Sequence, residues 1–151
     1  MSWYGTQARW FAPFERDAQR VHRLRLTSHL AKGRRLVYEH VGLEVPGRTD
    51  RVPARIEFYA APPYETFGLD PQDYPRVFAD PKARSKHRMA DDALCLYAPF
   101  DPPDQRWTND DGLLLLLNLV VDHLASELVW RNTDIWPRPE SPHGLPGDWT
   151  V

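Results

Sequence analysis

The sequence has only one cysteine, Cys95, among its 151 residues. One thiol cannot form a disulfide within the chain, and it cannot by itself supply the sulfur ligands of a structural zinc site. The six histidines lie on separate predicted elements, without the short paired spacing of a metal-binding helix, so no metal site is expected. Cys95 is therefore either a buried, weakly polar packing residue or a nucleophile.

Other absences narrow the class of protein. Neither a GxGxxG nor a GxxxxGK[ST] glycine-rich loop occurs, so no nucleotide cofactor is expected. A net charge of −2 gives no overall attraction to nucleic acid or to an anionic membrane. No apolar run approaches the roughly 20 residues needed to cross a bilayer, and the N-terminus lacks the features of a secretion signal. We expect a cytoplasmic protein that binds neither membrane nor nucleic acid directly.

The composition is that of one globular domain spanning residues 1–151, because 42% of the residues are apolar and 12% are aromatic. Fifteen prolines predict several rigid loops between short elements. From about residue 132 the chain is expected to be an irregular tail that wraps across the domain, with Trp130, Trp136 and Trp149 in this region.

The first predicted element is an amphipathic helix from Phe14 to Lys32, with Pro13 in its first turn and Gly33 as its stop. Its apolar side consists of Phe14, Ala18, Val21 and Leu24. Its other side carries Arg16, Arg20, Arg23 and Arg25, which is typical of a solvated helix face but is also compatible with a partner contact.

Two strands are predicted next, over Leu36 to Val45 and over Val52 to Phe58, where apolar and polar residues alternate. Together they predict an antiparallel hairpin, and Arg76 to Ala79 is predicted to be a further short strand. The strongest helix is predicted from Leu113 to Arg131, capped by Thr108 or Asn109. The fold class is therefore α+β.

Polar residues within the long predicted helix bear on two other interpretations. Asn118, Asp122 and His123 interrupt its apolar run, which argues against a membrane span. Asp122 and His123 are also adjacent in sequence, which raises the alternative of a Cys-His-Asp hydrolase. Neighbours on a helix point about 100° apart, however, so these two cannot orient one another as a triad requires.

A basic segment precedes the cysteine, with Lys82, Arg84, Lys86, His87 and Arg88 close together. It is either a contact for an anion or partner beside Cys95 or a solvated loop. Nucleic-acid binding is not favoured, because no aromatic residues alternate with these charges.

The order of these elements resembles the ubiquitin-conjugating (E2) superfamily, most closely its divergent prokaryotic branch. The specific features are Tyr74-Pro75, His87, Leu94-Cys95-Leu96, Trp107 and a helix that opens near Asp110, within a resemblance that covers roughly residues 14–136. Such proteins occur in bacterial ubiquitin-like operons and in CBASS antiviral defence operons, beside a cGAS-like nucleotidyltransferase. The resemblance implies a UBC-like fold, with an N-terminal helix, a small antiparallel β-meander, and a long central helix after the catalytic-cysteine loop.

The resemblance also implies a thioester-transfer activity. Cys95 matches the thioester-forming cysteine, Tyr74-Pro75 matches the YP of the meander, and Trp107 matches the tryptophan before the last long helix. The family's His-Pro-Asn motif is absent. His87 stands eight positions before Cys95, where related eukaryotic enzymes carry the asparagine of that motif. The implied partners are a ubiquitin-like protein or the C-terminus of a cGAS-like nucleotidyltransferase, and an E1-like activating enzyme, for which the basic first helix is the expected docking surface.

For this chemistry, Lys86, His87 and Arg88 are expected to lower the pKa of the thiol. His87 or Asn109 is expected to stabilise the tetrahedral intermediate, and Asp101 or Asp104 to assist the incoming amine. Each has a structural alternative: His87 fixes its loop, Asn109 caps the helix, and the aspartates form turns.

Two other functions stay open at the level of sequence. The first is a non-catalytic UBC-like module that binds a partner and uses Cys95 only for packing. The second is a cysteine hydrolase, with water as the acceptor.

Overall fold

The computed structural model describes residues 3–139 and shows an α+β fold of two helices and one sheet. The helices are α1 (Ala8–His22) and α2 (Gly112–Thr133). The strands are β1 (Leu26–Ala31), β2 (Arg35–Leu43), β3 (Val52–Tyr59) and β4 (Arg76–Ala79). All neighbouring strands are antiparallel, in the order β1-β2-β3-β4. The α+β class is therefore confirmed.

The predicted hairpin is confirmed as β2 and β3, in which Leu36 lies opposite Phe58 and Tyr38 opposite Ile56. The alternation works as expected, since Val52, Ala54, Ile56 and Phe58 are all buried. The short strand at Arg76–Ala79 is confirmed as β4, which pairs with β3.

The prediction for the first helix is wrong at both ends. The helix begins at Ala8, so Pro13 lies inside it, and it ends at His22. The residues after His22 lead into β1, which pairs with β2. Lys32 (φ +54°) and Gly33 (φ +69°) form the left-handed turn between these two strands, so Gly33 does not end a helix as predicted.

The early end of α1 changes which side chains it buries. Phe14 and Ala18 are buried as predicted, but Val21 is 62% exposed and Leu24 is 93% exposed. The basic side is solvated, and Arg16 and Arg20 both lie within 4 Å of the Asp17 carboxylate.

An aromatic cluster joins α1 to the sheet and to the segment before α2. Phe58 is fully buried and its ring lies within 6.5 Å of five others. Those rings belong to Tyr4, Trp10, Phe14, Tyr38 and Trp107. Edge-to-face packing of this kind adds to the stabilisation from buried area.

The long helix is confirmed as α2, with Leu113, Leu116, Leu117, Val120 and Leu124 in the core. A 3-10 turn, Asn109–Asp111, precedes it. Neither predicted cap is the N-cap of α2, which is Asp111. Thr108 instead caps the 3-10 turn, where its backbone N–H donates to the Asp111 carboxylate at 2.8 Å in a capping box.

By length and composition, the helical stretch Asn109–Thr133 could cross a membrane, despite the polar residues that interrupt it. The core helix of a soluble protein satisfies the same criterion, and 44% of its most apolar window is buried inside the protein. This helix therefore does not decide where the protein resides.

The tail begins slightly later than predicted, because Trp130 belongs to α2 and the helix ends at Thr133 with Asp134 in the left-handed conformation. Trp136 then packs against the rings of His87 and His123, with centroids 4.5 and 5.4 Å away. The rest of the predicted tail, including Trp149, lies outside the described residues.

Replacing Phe58 by alanine should lower the free energy of unfolding by about 3–5 kcal/mol, because it empties the centre of the aromatic cluster. Urea denaturation monitored by tryptophan fluorescence measures the change. Phe100→Ala is the matched control: its ring is 48% exposed, and we expect a loss of about 1 kcal/mol. Equal losses in the two variants would contradict this description of the core.

Candidate functional site

Cys95 comes sixteen residues after the end of β4 in the sequence but lies beside this strand in the fold. The Leu94 N–H donates to the Val77 carbonyl of β4 at 2.8 Å, and the Cys95 N–H donates to the His87 carbonyl at 3.1 Å. The segment also forms an isolated antiparallel bridge between Arg88 and Leu94. The backbone at Cys95 and at the residue before it is thus held by hydrogen bonds.

A buried ion pair fastens this segment to α2. Arg88 donates two parallel hydrogen bonds to Glu127, from Nε to Oε2 and from Nη2 to Oε1, both at 2.8 Å. Its Nη1 donates to the Asp80 carbonyl at 2.9 Å and to the Asp92 carboxylate at 3.1 Å. One guanidinium therefore connects the loop after β4, the turn before Cys95 and the long helix. We call Arg88 and Glu127 the buried clamp.

Arg88 is buried and paired, so at this residue the basic segment is neither a solvated loop nor an open contact for an anion or partner. Arg84, in the same segment, stacks on the Trp130 ring of α2 with its guanidinium carbon 4.8 Å from the ring centroid. Its carbonyl accepts a hydrogen bond from Arg131 at 2.9 Å. Both arginines attach the segment to α2.

Glu127 has no exposed side-chain surface. Burial opposes its ionisation, but hydrogen bonds from Arg88 and His123 outweigh that effect and lower the pKa of Glu127 to about 2. His123 lies one helical turn earlier, with its Nε2 3.1 Å from Oε2 of Glu127. It does not pair with Asp122, in agreement with the sequence argument against a triad.

The expected lowering of the thiol pKa is wrong. Burial raises the pKa of Cys95 to about 12, and the negative charges of Asp91 and Glu127 raise it further. Arg76 and Arg88 act in the opposite direction, with the larger effect from Arg76. Arg88, one of the three predicted cations, is among these influences, and its charge is already balanced by Glu127.

Arg76 is a member of the site that the sequence analysis missed. It lies at the start of β4, and its guanidinium stacks 4.0 Å above the Tyr64 ring. Its Nε is 3.0 Å from Oδ2 of Asp91, and its Nη1 is 2.6 Å from the Met89 sulfur. Asp91 is 46% exposed, whereas Arg76 is 14% exposed.

Asn109 has a structural role in this conformation. Its side-chain nitrogen donates to Asp73 at 2.6 Å, and its side-chain oxygen accepts a hydrogen bond from the Trp10 indole at 3.0 Å. It connects α1 to the loop before β4, so no contact supports the predicted part of Asn109 in stabilising an intermediate.

The other predicted residues are distributed around the site. The His87 N–H donates to the Ser85 hydroxyl at 3.1 Å and its ring packs on Trp136, which supports the loop-fixing alternative. The Asp101 N–H donates to the Ala98 carbonyl at 3.2 Å, and its carbonyl accepts from Arg106 at 3.0 Å, as a turn residue does. Asp104 is exposed in a 3-10 turn at Pro103–Gln105.

The YP and Trp positions are buried beside this site. The Tyr74 carbonyl accepts a hydrogen bond from the Tyr64 hydroxyl at 2.6 Å, and its ring lies 6.1 Å from that of Tyr97. The Trp107 indole donates to the Gly112 carbonyl at 3.0 Å. Both residues therefore shape the loops around Cys95 by packing.

Across residues 3–139, no group of three or more His, Cys, Asp or Glu side chains is arranged to hold a metal ion. Two histidines from distant parts of the sequence do meet: Nε2 of His40 lies 2.9 Å from Nδ1 of His22. The His40 Nδ1 accepts a hydrogen bond from the Gly42 N–H at 3.0 Å, so the pair is satisfied by hydrogen bonding.

Comparison of the chain with models of protein families, with curated proteins and with solved structures finds no match. The function must therefore be argued from the geometry above.

The buried clamp predicts a loss of stability in acid. Because the pKa of Glu127 is about 2 in the folded protein and near 4.5 when exposed, its ionisation contributes about 3 kcal/mol at neutral pH. That contribution is complete above about pH 5 and is lost as the pH falls from there toward 2. Urea denaturation at a series of pH values measures it.

Glu127→Gln tests the origin of this effect. It should lower stability at pH 7 by about 3–5 kcal/mol, since Arg88 is left buried without its counter-charge. It should also flatten the acid limb of the stability profile. Glu39→Gln, at an exposed position on β2, should keep the wild-type profile. A Glu127→Gln profile as steep as the wild type would show that other carboxyl groups cause the acid sensitivity.

Proposed function

We propose that the protein is an E2-like conjugating enzyme with a UBC-like fold, in which Cys95 carries an acyl group as a thioester. The observation that carries the proposal is the placement of the chain's one thiol. Cys95 lies in a loop fixed on one side to β4 and on the other, through the buried clamp, to α2. It follows an N-terminal helix and an antiparallel meander and precedes the long helix, in the order that the resemblance implies.

The proposed chemistry has two transfers. The Cys95 sulfur attacks the activated carboxyl terminus of a partner, forms a thioester, and displaces the activating group. An amine then attacks the thioester carbonyl, an amide forms, and Cys95 leaves as a thiol with the proton that the amine has lost. The partners are a ubiquitin-like protein or the C-terminus of a cGAS-like nucleotidyltransferase, and an E1-like enzyme that supplies the activated carboxyl.

The setting that fits this proposal is the bacterial cytoplasm, in a CBASS antiviral or ubiquitin-like system. The solvated side of α1 supports a docking surface for an acidic partner, because its three arginines, Arg9, Arg16 and Arg20, are all exposed, although Arg16 and Arg20 share the Asp17 carboxylate.

The competing function is a non-catalytic protein-binding module on the same scaffold. One observation favours it: burial raises the pKa of Cys95 to about 12, so only a very small fraction of the thiol is ionised at neutral pH. A thiol used only for packing needs no ionisation. A conjugating enzyme instead needs a nearby charge that stabilises the thiolate as it reacts.

Co-expression with the neighbouring genes of its operon distinguishes the two functions. We expect wild-type protein to carry an adduct that thiols release, detected by intact mass and non-reducing gels. In Cys95→Ser the adduct should be replaced by a thiol-resistant ester or disappear, because an oxygen ester is less reactive than a thioester. The mass of the adduct identifies the modifier.

Cys95→Ala is the matched control, since it keeps a small side chain but cannot accept an acyl group. If wild type carries no adduct and all three forms bind the same partners equally, the binding module is the correct function. Release of the acyl group to water with no transfer to an amine would instead indicate a hydrolase.

A further inference from the structure

Among the described cations, the charge of Arg76 has the largest lowering effect on the pKa of Cys95. Arg88 has a smaller effect, and its guanidinium already donates four hydrogen bonds to Glu127, Asp80 and Asp92. Asn109, predicted from sequence as a donor, is bonded to Asp73 and Trp10. Arg76 is the remaining positive group among those that influence the thiol.

Arg76 and Cys95 are brought together by the backbone. The hydrogen bond from Leu94 to Val77 joins the residue before Cys95 to the residue after Arg76. Tyr74 connects the two groups further, since Arg76 hydrogen-bonds to its side chain and the charges of both Arg76 and Cys95 influence its pKa, which burial raises to about 12. The backbone bond and this shared partner place Arg76 and Cys95 in the same site.

Within the described part of the chain, one nitrogen of Arg76 is left without a hydrogen-bond partner, although the side chain does form a hydrogen bond with Tyr74. Its Nε is buried and, among residues 3–139, has no hydrogen-bond acceptor, although the Asp91 carboxylate is 3.0 Å away in an ion pair. Its Nη1 donates to a methionine sulfur, which is a weak acceptor. A buried N–H without an acceptor requires an explanation. One explanation is that this N–H stabilises negative charge that develops during a reaction.

Asp91 is placed to restrain Arg76. Its Oδ1 accepts a hydrogen bond from the Ala93 N–H at 3.1 Å, so the carboxylate is fixed by the turn that leads to Cys95. Its Oδ2 holds the ion pair with Arg76. Two charges of opposite sign therefore lie beside the thiol, and their effects on a thiolate oppose one another.

We propose that Arg76 stabilises the negative charge that develops at Cys95 and on the oxygen of an acyl group bound there, and that Asp91 restrains this effect. When an amine attacks the thioester, the π electrons of the carbonyl move to its oxygen, and an Arg76 N–H donates to that oxygen. A C–N bond forms, and as the intermediate collapses the C–S bond breaks; the same guanidinium stabilises the departing thiolate, which then takes the proton that the amine has lost. The second part of this role rests on the proposed function, whereas the effect on the thiol itself does not.

The rate of alkylation of Cys95 by iodoacetamide, followed by intact mass from pH 6 to pH 10, tests the effect on the thiol. Because only the thiolate reacts, each unit of change in the pKa changes the rate roughly tenfold below the pKa. Asp91→Asn should react at least threefold faster than wild type at pH 8, on the order of half a pKa unit. Arg76→Gln should react at least threefold slower, by the same reasoning.

Three further variants separate charge from packing. Asp92→Asn, the matched control on the same turn, removes a carboxylate that pairs with Arg88 rather than Arg76, and it should leave the rate within about twofold of wild type. Arg76→Lys keeps the positive charge and should restore most of the rate lost in Arg76→Gln. The Arg76→Gln/Asp91→Asn double variant should lose the acceleration seen in Asp91→Asn alone. Circular dichroism checks that each variant is folded.

Equal alkylation rates in folded Asp91→Asn, Arg76→Gln and wild-type proteins would overturn the proposal, as would a complete lack of alkylation in all of them up to pH 10. The transfer step is tested separately. A glycine-ending peptide supplied as its mercaptoethanesulfonate thioester is used to load Cys95, and hydroxylamine is the acceptor. We expect Arg76→Gln to load but to transfer at least tenfold more slowly. If wild type does not load, the proposed function fails while the alkylation result stands.

Discussion

A carboxylate with no exposed surface lies in the second half of α2, and the position of the Cys95 loop depends on it. Glu127 holds Arg88 by two parallel hydrogen bonds, and Arg88 in turn holds the backbone at Asp80 and the side chain at Asp92. Buried ion pairs of this kind often contribute little net stability compared with apolar residues of the same size, because both charges must be dehydrated. Their particular contribution is that hydrogen bonds have a fixed direction. A guanidinium that donates to four acceptors in fixed places holds the loop in one position, whereas an apolar contact would allow several.

The clamp has an electrostatic consequence for the thiol. Glu127 keeps Arg88 paired, and its own negative charge adds to the effect of burial, which is the main cause of the raised pKa of Cys95. The residue that positions the loop thus also opposes ionisation of the thiol. In the proposal above, reactivity depends on Arg76. Arg88 fixes the loop, and Arg76 is the charge proposed to act on the sulfur. Because these are different residues, the effect on the sulfur can change without loss of the fold.

The sequence predicted the parts of the fold that depend on local periodicity. The alternation from Val52 to Phe58 gave β3, and the apolar run after Leu113 gave α2, because a strand or helix buried on one side must repeat its apolar residues at a fixed interval. The first helix was predicted to extend too far because the spacing of Leu24, Leu26 and Leu30 is compatible with a helix or with a strand. Pairing with β2 determines that this segment forms β1, and that pairing is a long-range contact. The roles of Arg88, Arg76 and Asp91 could not be predicted for a similar reason. Each depends on a partner brought near by the fold, and only Glu127, a charged residue among the buried positions of an apolar helix, offered a signal in the sequence.

Amide hydrogen exchange in the Cys95 segment tests most directly whether the clamp positions the site. The relevant amides are those of Met89, Leu94 and Cys95, which donate to Ala93, Val77 and His87. The account predicts that these three are strongly protected in the wild-type protein, and that in folded Glu127→Gln they lose protection while the amides in the first half of α2 keep theirs. Protection that stays the same in this segment after the Glu127→Gln substitution would show that the loop is held by its own backbone bonds and would contradict the account.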